Sequence, residues 1–376
     1  YPGCAKAEKG LSAVGRQGVL VRIKVDEKTA KAIVLGGAFL GGGGGGDYRM
    51  GLQVAKLALE LGDLYIVSLD ELKPGDLVVT ASLVGAPAAK EKYVKPAHMV
   101  RSAELLMSYA KVSIAGFISS ENGGASSTNG WIPAALMGLP VIDAPADGRA
   151  HPTGVMGSMG LHKLKDYVSI QAAVGGNKEM GMYVELVASG RLERVDKLVR
   201  EAAVQAGGMV AVTRNPVTAE YLRGNAAPGA LTMAMKIGEI IERYSTSPEE
   251  MCYKVIEYIG GGRVVDKGTV EEVVLETRGG YDIGRALIKG SKTLYEVTIW
   301  NEYMTLEDSS GARYATFPDL IVTIDAKTLM PKTSAELVRG DEVLIVVIPK
   351  ELIPLGAGVK DPEILAQVGN VIGKSV

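Results

Sequence analysis

The chain has 376 residues, enough for two or three domains, and a formal net charge of only −2. Near-neutrality without a long basic run argues against nucleic acid as a partner, and no stretch of about 18 apolar residues is available to span a bilayer. Hydrophobic residues make up 47% and aromatics only 5%, so the cores must be built mainly from aliphatic side chains and alanine.

Gly18 to Val25 alternates and predicts a strand. Asp26 stands where an N-cap belongs, ahead of a helix to about Leu40 with Ala30, Ile33, Val34 and Gly37 on one face. Six glycines follow, Gly41 to Gly46, and Asp47 opens a second helix over Tyr48 to Leu61. Strands are expected at 65–68 and 77–81, and a helix from His98, placed at the surface, to Ala110. Residues 112–118 and 140–144 are short apolar runs separated by Trp131 to Met137, which reads as a crossover helix. The segment 112–144 therefore predicts a βαβ unit with parallel strands. Strands at 167–173, 182–187 and 209–213 and helices at 192–206, 229–244 and 248–258 complete the first part. From Gly261 the pattern changes to short alternating runs at 264–276, 281–288, 295–304, 320–324 and 343–348. The expectation is an α/β N-terminal domain, with a parallel or mixed sheet and flanking helices, over residues 1–250. A β-rich C-terminal domain follows over 251–376. The boundary moves to about 190 if the middle helices belong with the β part.

Ligands of open parallel sheets collect at the carboxyl ends of the strands. Here Ser119, Ser120, Glu121 and Asn122 follow one strand of the βαβ unit, and Asp143, Asp147, Arg149 and His151 follow the next. Pro145, Gly148 and Pro152 make the second segment a loop, free to fold its polar residues inward. Glu121, His151 and Asp147 are the candidate catalytic residues. Glu121 suits a general base, and an unperturbed histidine with pKa near about 6.5 suits either a metal ligand or a proton shuttle. Histidine among carboxylates suits Zn²⁺ or a similar divalent ion, so His151, Asp143, Asp147 and Glu121 form the candidate metal set. The glycine run follows a helix and not a strand, which argues against a nicotinamide site. Bare N–H groups at Gly44, Gly45 and Gly46 ahead of Asp47 suit an anion or a polarised carbonyl, although a tight helix–helix turn explains the same residues. Asn122 and Arg149 join the candidate substrate contacts; Arg149 either grips a substrate carboxylate or pairs with Asp143 or Asp147. The C-terminal region has no histidine or cysteine after Cys252 and is expected to close the pocket or build an oligomer. Cys4 and Cys252 make no disulfide framework and no secretory leader pattern is evident, so a cytoplasmic protein is expected.

Eight short motifs occur in an order that resembles the S-methyl thiohydantoin desulfurase-like family. They are Gly41–Asp47, Gly85-Ala86-Pro87, Glu121-Asn122-Gly123-Gly124, Gly138-Leu139-Pro140-Val141, Asp147-Gly148-Arg149-Ala150-His151-Pro152, Pro228-Gly229, Asn301-Glu302 and Pro318-Asp319-Leu320-Ile321. The resemblance covers about Asp26 to Leu352. Ser126, Ser127, His151 and Thr153 depart from the family's commoner pattern. The resemblance implies a two-domain chain and metal-assisted hydrolysis of a carbon–sulfur or carbon–nitrogen bond in a small five-membered thiohydantoin or hydantoin ring. It also implies hydantoinase- or oxoprolinase-type partner subunits, with a non-catalytic binding subunit of such a complex, or a lyase using the same acids, as the rival readings.

Overall fold

The computed structural model describes residues 22–86 and 89–374. The start of the predicted strand at 18–25, Cys4 and Pro87 lie outside them. The strands of the first sheet are β1 (Arg22–Lys24), β2 (Tyr65–Val67), β3 (Leu77–Gly85), β4 (Gly116–Ser119), β5 (Val141–Ile142), β6 (Ser169–Gly175), β7 (Val184–Gly190) and β8 (Met209–Thr218). Their order across the sheet is β1-β2-β5-β4-β3-β8-β6-β7. The middle four, β2, β5, β4 and β3, are mutually parallel, while β1, β8, β6 and β7 join antiparallel, so the sheet is mixed. The βαβ unit read from 112–144 is present, with Phe117 of β4 opposite Val141 of β5.

The helices are α1 (Glu27–Leu40), α2 (Tyr48–Leu61), α3 (Pro96–Ala110), α4 (Trp131–Met137), α5 (Leu192–Gln205), α6 (Ala219–Asn225), α7 (Ala230–Arg243), α8 (Pro248–Ile259) and α9 (Pro362–Ile372). Asp26 caps α1 by accepting the Thr29 N–H at 2.7 Å. Helix α1 is apolar nearly all round, as a helix buried on several sides must be. Ala30, Ile33 and Val34 enter the core of the first sheet, while Leu35, Phe39 and Leu40 enter the core shared with the second. It lies directly on α7: a Cβ at Gly36 would meet the Ala234 carbonyl at 1.7 Å, and one at Gly238 the Ala32 carbonyl at 1.8 Å. His98, expected at the surface, is buried between the rings of Tyr93 and Tyr183.

The second sheet holds β9 (Arg263–Arg278), β10 (Tyr281–Gly290), β11 (Leu294–Trp300), β12 (Glu302–Asp308), β13 (Arg313–Thr316), β14 (Leu320–Asp325), β15 (Pro331–Lys332) and β16 (Glu342–Ile348). It is antiparallel throughout, in the order β13-β12-β11-β10-β9-β16-β14-β15. Both of its faces are apolar. Leu344, Val346 and Ile348 of β16 face the helical core, while Val343, Ile345 and Val347 join a cluster drawn almost entirely from the same sheet, which therefore curls over its own face. The single strand predicted at 295–304 is two strands. Asn301, with φ +57°, turns the chain between β11 and β12, a conformation asparagine tolerates better than most residues.

The six glycines join α1 to α2 and sit between the two sheets. Gly42 and Gly43 carbonyls accept N–H groups from Tyr303 (2.9 Å) and Ser334 (2.7 Å) of the β-rich region; the Gly45 carbonyl accepts those of Ala125 and Ser126, both at 2.9 Å. Gly43 has φ +89°, and a Cβ there would lie 2.5 Å from the Tyr303 ring. Gly43→Ala should therefore lower stability by about 2–4 kcal/mol, strain and overpacking acting together. Gly311→Ala, with a similar φ of +86° and open space around it, should cost only about 1–2 kcal/mol. Urea unfolding of the two variants measures the difference, and equal losses would mean that the Tyr303 contact contributes nothing.

Candidate functional site

A cavity of about 550 Å³ opens at the carboxyl ends of β3 and β4, the size of a small-molecule site. The first sheet supplies Leu83–Gly85, Ser120, Glu121 and, on β8, Arg214; the loop after β5 supplies His151 to Gly154. The glycine loop forms one wall through Gly43 to Gly46, and the β-rich region closes another with Asn301, Glu302 and Thr333 to Glu336. The cavity is thus built from both halves of the chain. The Gly44 N–H is spent on the Gly41 carbonyl at 3.0 Å. Those of Gly45 and Gly46 donate to no protein acceptor among the described residues. The loop's tightness has a purpose at Gly44, where a Cβ would fall 2.0 Å from Glu302 Oε1. Its missing side chain is what lets that carboxyl reach the cavity.

Three ionisable groups meet here. His151 is 7% exposed, with Nε2 3.4 Å from the Ser120 carbonyl and Nδ1 3.5 Å from Glu121 Oε2. A carbonyl can only accept, so the proton belongs on Nε2 and Nδ1 presents a lone pair to Glu121. Burial, reinforced by the positive charge of Arg214, drops the imidazole to about 3. That favours the neutral imidazole near neutrality. Burial pushes Glu121 the other way, up to about 7, against the opposing pull of the His151 backbone N–H at 3.1 Å and of Arg214. Glu302, 3% exposed, is raised well above the usual carboxyl range by burial and then by the charge of Glu121. Burial and the mutual repulsion of their charges thus favour the neutral form of both carboxyls.

The other expected residues fall into two groups. Asp47 lines the cavity, but its carboxylate caps α2 through the Arg49 N–H at 2.8 Å and pairs with the Arg49 guanidinium at 3.0 Å. Asp143, Asp147, Asn122 and Arg149 lie off the cavity wall. Asp143 accepts the Leu231 N–H at 2.8 Å and the Thr232 hydroxyl, capping α7 from outside. Asp147 leaves the same sheet edge as Glu121, with its own N–H on the Ser120 carbonyl at 3.1 Å, but its Oδ1 accepts the amides of Gly148 and Gly356, both at 2.9 Å. Asn122 bridges the Ala230 carbonyl and the Ser127 hydroxyl. Arg149 is fully buried and spans the two sheets. It donates to the carbonyls of Pro318 (3.1 Å) and Asp319 (2.5 Å) and lies over the Phe317 ring at 4.5 Å. The metal set expected from the sequence therefore does not converge: only His151 and Glu121 are adjacent, and no group of three or more His, Cys, Asp or Glu able to hold an ion occurs among the described residues.

Among the cavity residues that sequence reasoning did not single out, two bear on the chemistry. Glu302 stood in a motif but was read as part of a strand, and only the Asn301 turn delivers it to the cavity. Arg214 had no signal at all, since an arginine in a β8 register opposite Thr80 and Gln171 looks like any strand residue.

The chain matches the S-Me-THD-like N-terminal domain over residues 28–183 and the S-Me-THD-like C-terminal domain over residues 191–353. No curated protein matches it. Among solved structures, the crystal structure of a protein from Chromobacterium violaceum is 20% identical, with 94% of this chain and 99% of that one covered at a TM-score of 0.72, a likeness of fold.

The raised carboxyl at Glu121 has a thermodynamic consequence. Between its ordinary value of 4.5 and about 7 the folded chain holds a proton that the unfolded chain has released. Stability must fall as pH rises through that window. Glu121→Gln should reduce the fall from pH 5 to 7 by about 1–3 kcal/mol. Chemical denaturation across the pH series checks it, and an unchanged slope would mean an ordinary carboxyl.

Proposed function

Because this chain belongs to the S-Me-THD-like family, we propose that the cavity takes a small five-membered thiohydantoin- or hydantoin-type ring and hydrolyses it with the Glu121–Glu302 pair. One observation supports this most: two carboxyls from opposite sheets line one cavity in environments that raise both above the usual carboxyl range. Pairs of acids whose surroundings hold one neutral and one ionised are the usual means of running base and acid steps together. For an S-methyl ring, Glu121 as carboxylate takes a proton from water while the water oxygen bonds to the ring carbon that bears sulfur. The ring C=N electrons move onto nitrogen, which receives the proton from Glu121. The carbon–sulfur bond then breaks as Glu302 protonates the departing methanethiolate, and Glu302 regains its proton from the new hydroxyl, which becomes the ring carbonyl. Water and the S-methyl ring thereby become methanethiol and the ring amide. The Gly45 and Gly46 N–H groups supply fixed dipoles for the charge that develops. His151, neutral and seated on the Ser120 carbonyl, orients Glu121.

Product identification by mass spectrometry after supplying an S-methyl thiohydantoin tests this reading. Methanethiol and the corresponding hydantoin are expected, and kcat should fall by about 10²–10⁴-fold in Glu121→Gln and in Glu302→Gln. Turnover should survive exhaustive chelation. Activity lost to the chelator and restored by a divalent ion would return the reaction to metal chemistry, and full activity in both glutamine variants would end the acid-pair reading.

A further inference from the structure

Arg214 sits in the middle of β8, 2% exposed, and its side chain reaches the cavity wall. A buried guanidinium has five N–H groups to satisfy. Here Nε and Nη1 have no hydrogen-bond partner among the described residues. The nearest ionic neighbour, Asp196 Oδ1, stands 3.7 Å from Nη1, too far for a hydrogen bond, and it too is unpartnered. A buried guanidinium paired at one point and left without hydrogen bonds at Nε and Nη1 calls for an explanation. Two neighbouring arginines show the contrast. Buried Arg149 is held by the carbonyls of Ala150, Pro318 and Asp319, and half-buried Arg200 by those of Gly85, Pro152 and Gly280, although Arg149 Nη2 and Arg200 Nε have no partner among the described residues. Arg214 is clamped by nothing comparable. Glycines pack directly against it: a Cβ at Gly154 would lie 1.8 Å from Asp196 Oδ1 and 2.5 Å from Nη1, and one at Gly157 would lie 2.5 Å from His151 Nε2 and 3.5 Å from Arg214 Nη2.

We propose that Arg214 is the anion anchor of the cavity and that the ring it accepts carries a carboxylate on its substituent. The inference rests on the reading of the cavity as a small-ring site and adds the class of ring. A guanidinium with free N–H groups recognises a carboxylate through two parallel hydrogen bonds, which Lys cannot reproduce. Arg214 lies beside His151 and so holds the substituent at a fixed distance from Glu121. Asp196 neutralises part of its charge when the cavity holds no anion.

Calorimetric binding to the full chain tests the proposal without turnover, using three probes: hydantoin, its 5-carboxymethyl derivative, and succinate. The carboxymethyl ring should bind at least tenfold more tightly than hydantoin. That preference should vanish in Arg214→Gln, survive in part in Arg214→Lys, and grow severalfold in Asp196→Asn, with thermal melting confirming that each variant is folded. Equal affinity for the two rings, or a preference that survives in folded Arg214→Gln, would overturn the proposal. If neither ring binds but succinate binds in an Arg214-dependent way, the small-ring reading fails and the anion anchor stands. If no probe binds the native chain, the anchor is refuted as well.

Discussion

Everything in this site depends on a chain segment that has no side chains. The loop from Gly41 to Gly46 is gripped by backbone hydrogen bonds from both directions, Ala125 and Ser126 on one side and Tyr303 and Ser334 on the other. Its approach to Gly123 is main chain on main chain, since a Cβ at Gly45 would lie 2.5 Å from Gly123 Cα. Main chain meets main chain this closely only where neither residue carries a Cβ, and toward the second sheet the bare loop leaves room for the side chains of Tyr303 and Glu302. The same closeness brings Glu302, from the second sheet, to a cavity whose other acid, Glu121, comes from the first. The conformational entropy lost in fixing six glycines is offset by helix α1, which delivers the loop from the middle of two cores.

The distribution of buried charge separates scaffold from site. Arg149, Asp143 and Asp147 are enclosed, yet their groups answer backbone partners: carbonyls for the arginine, and the amides at the start of α7 and at Gly356 for the acids. These bonds fix how elements dock, although Asp147 Oδ2 and Arg149 Nη2 keep no partner among the described residues and burial raises both acids, Asp147 to about 8. Around the cavity such backbone partners are scarcer. His151 Nδ1, Glu302 Oε2 and Arg214 Nε all lack a protein partner among the described residues. Unsatisfied polar atoms gathered around one cavity reduce stability where a ligand supplies the missing bonds.

Local chemistry was legible in the sequence, and long-range convergence was not. The N-caps at Asp26 and Asp47, the βαβ unit and the switch to antiparallel strands after Gly260 all follow from spacing and capping, which act over a few residues. Glu121 and His151 could be placed together because parallel strands open their ends on one edge. Asp143 and Asp147 share that edge, but which loop carboxylate turns toward a cavity and which caps a distant helix depends on contacts with residues 231 and 356, beyond any local pattern. Glu302 was hidden by continuity. Residues 295–304 alternate like one strand, and a single left-handed Asn301 breaks them. Arg214 depends on register, which no residue near it specifies.

The central claim is that two carboxyls from different sheets share a proton over one cavity. Carbon-13 NMR of the full chain labelled at the glutamate side-chain carboxyl observes that proton directly. The account predicts two resonances that titrate far above the ordinary carboxyl range, one near about pH 7, with coupled curves; removing either acid as Glu121→Gln or Glu302→Gln should delete one resonance and move the other's midpoint downward. If every glutamate titrates independently near its ordinary value, with no resonance moved by loss of the other acid, the shared proton does not exist and the account fails.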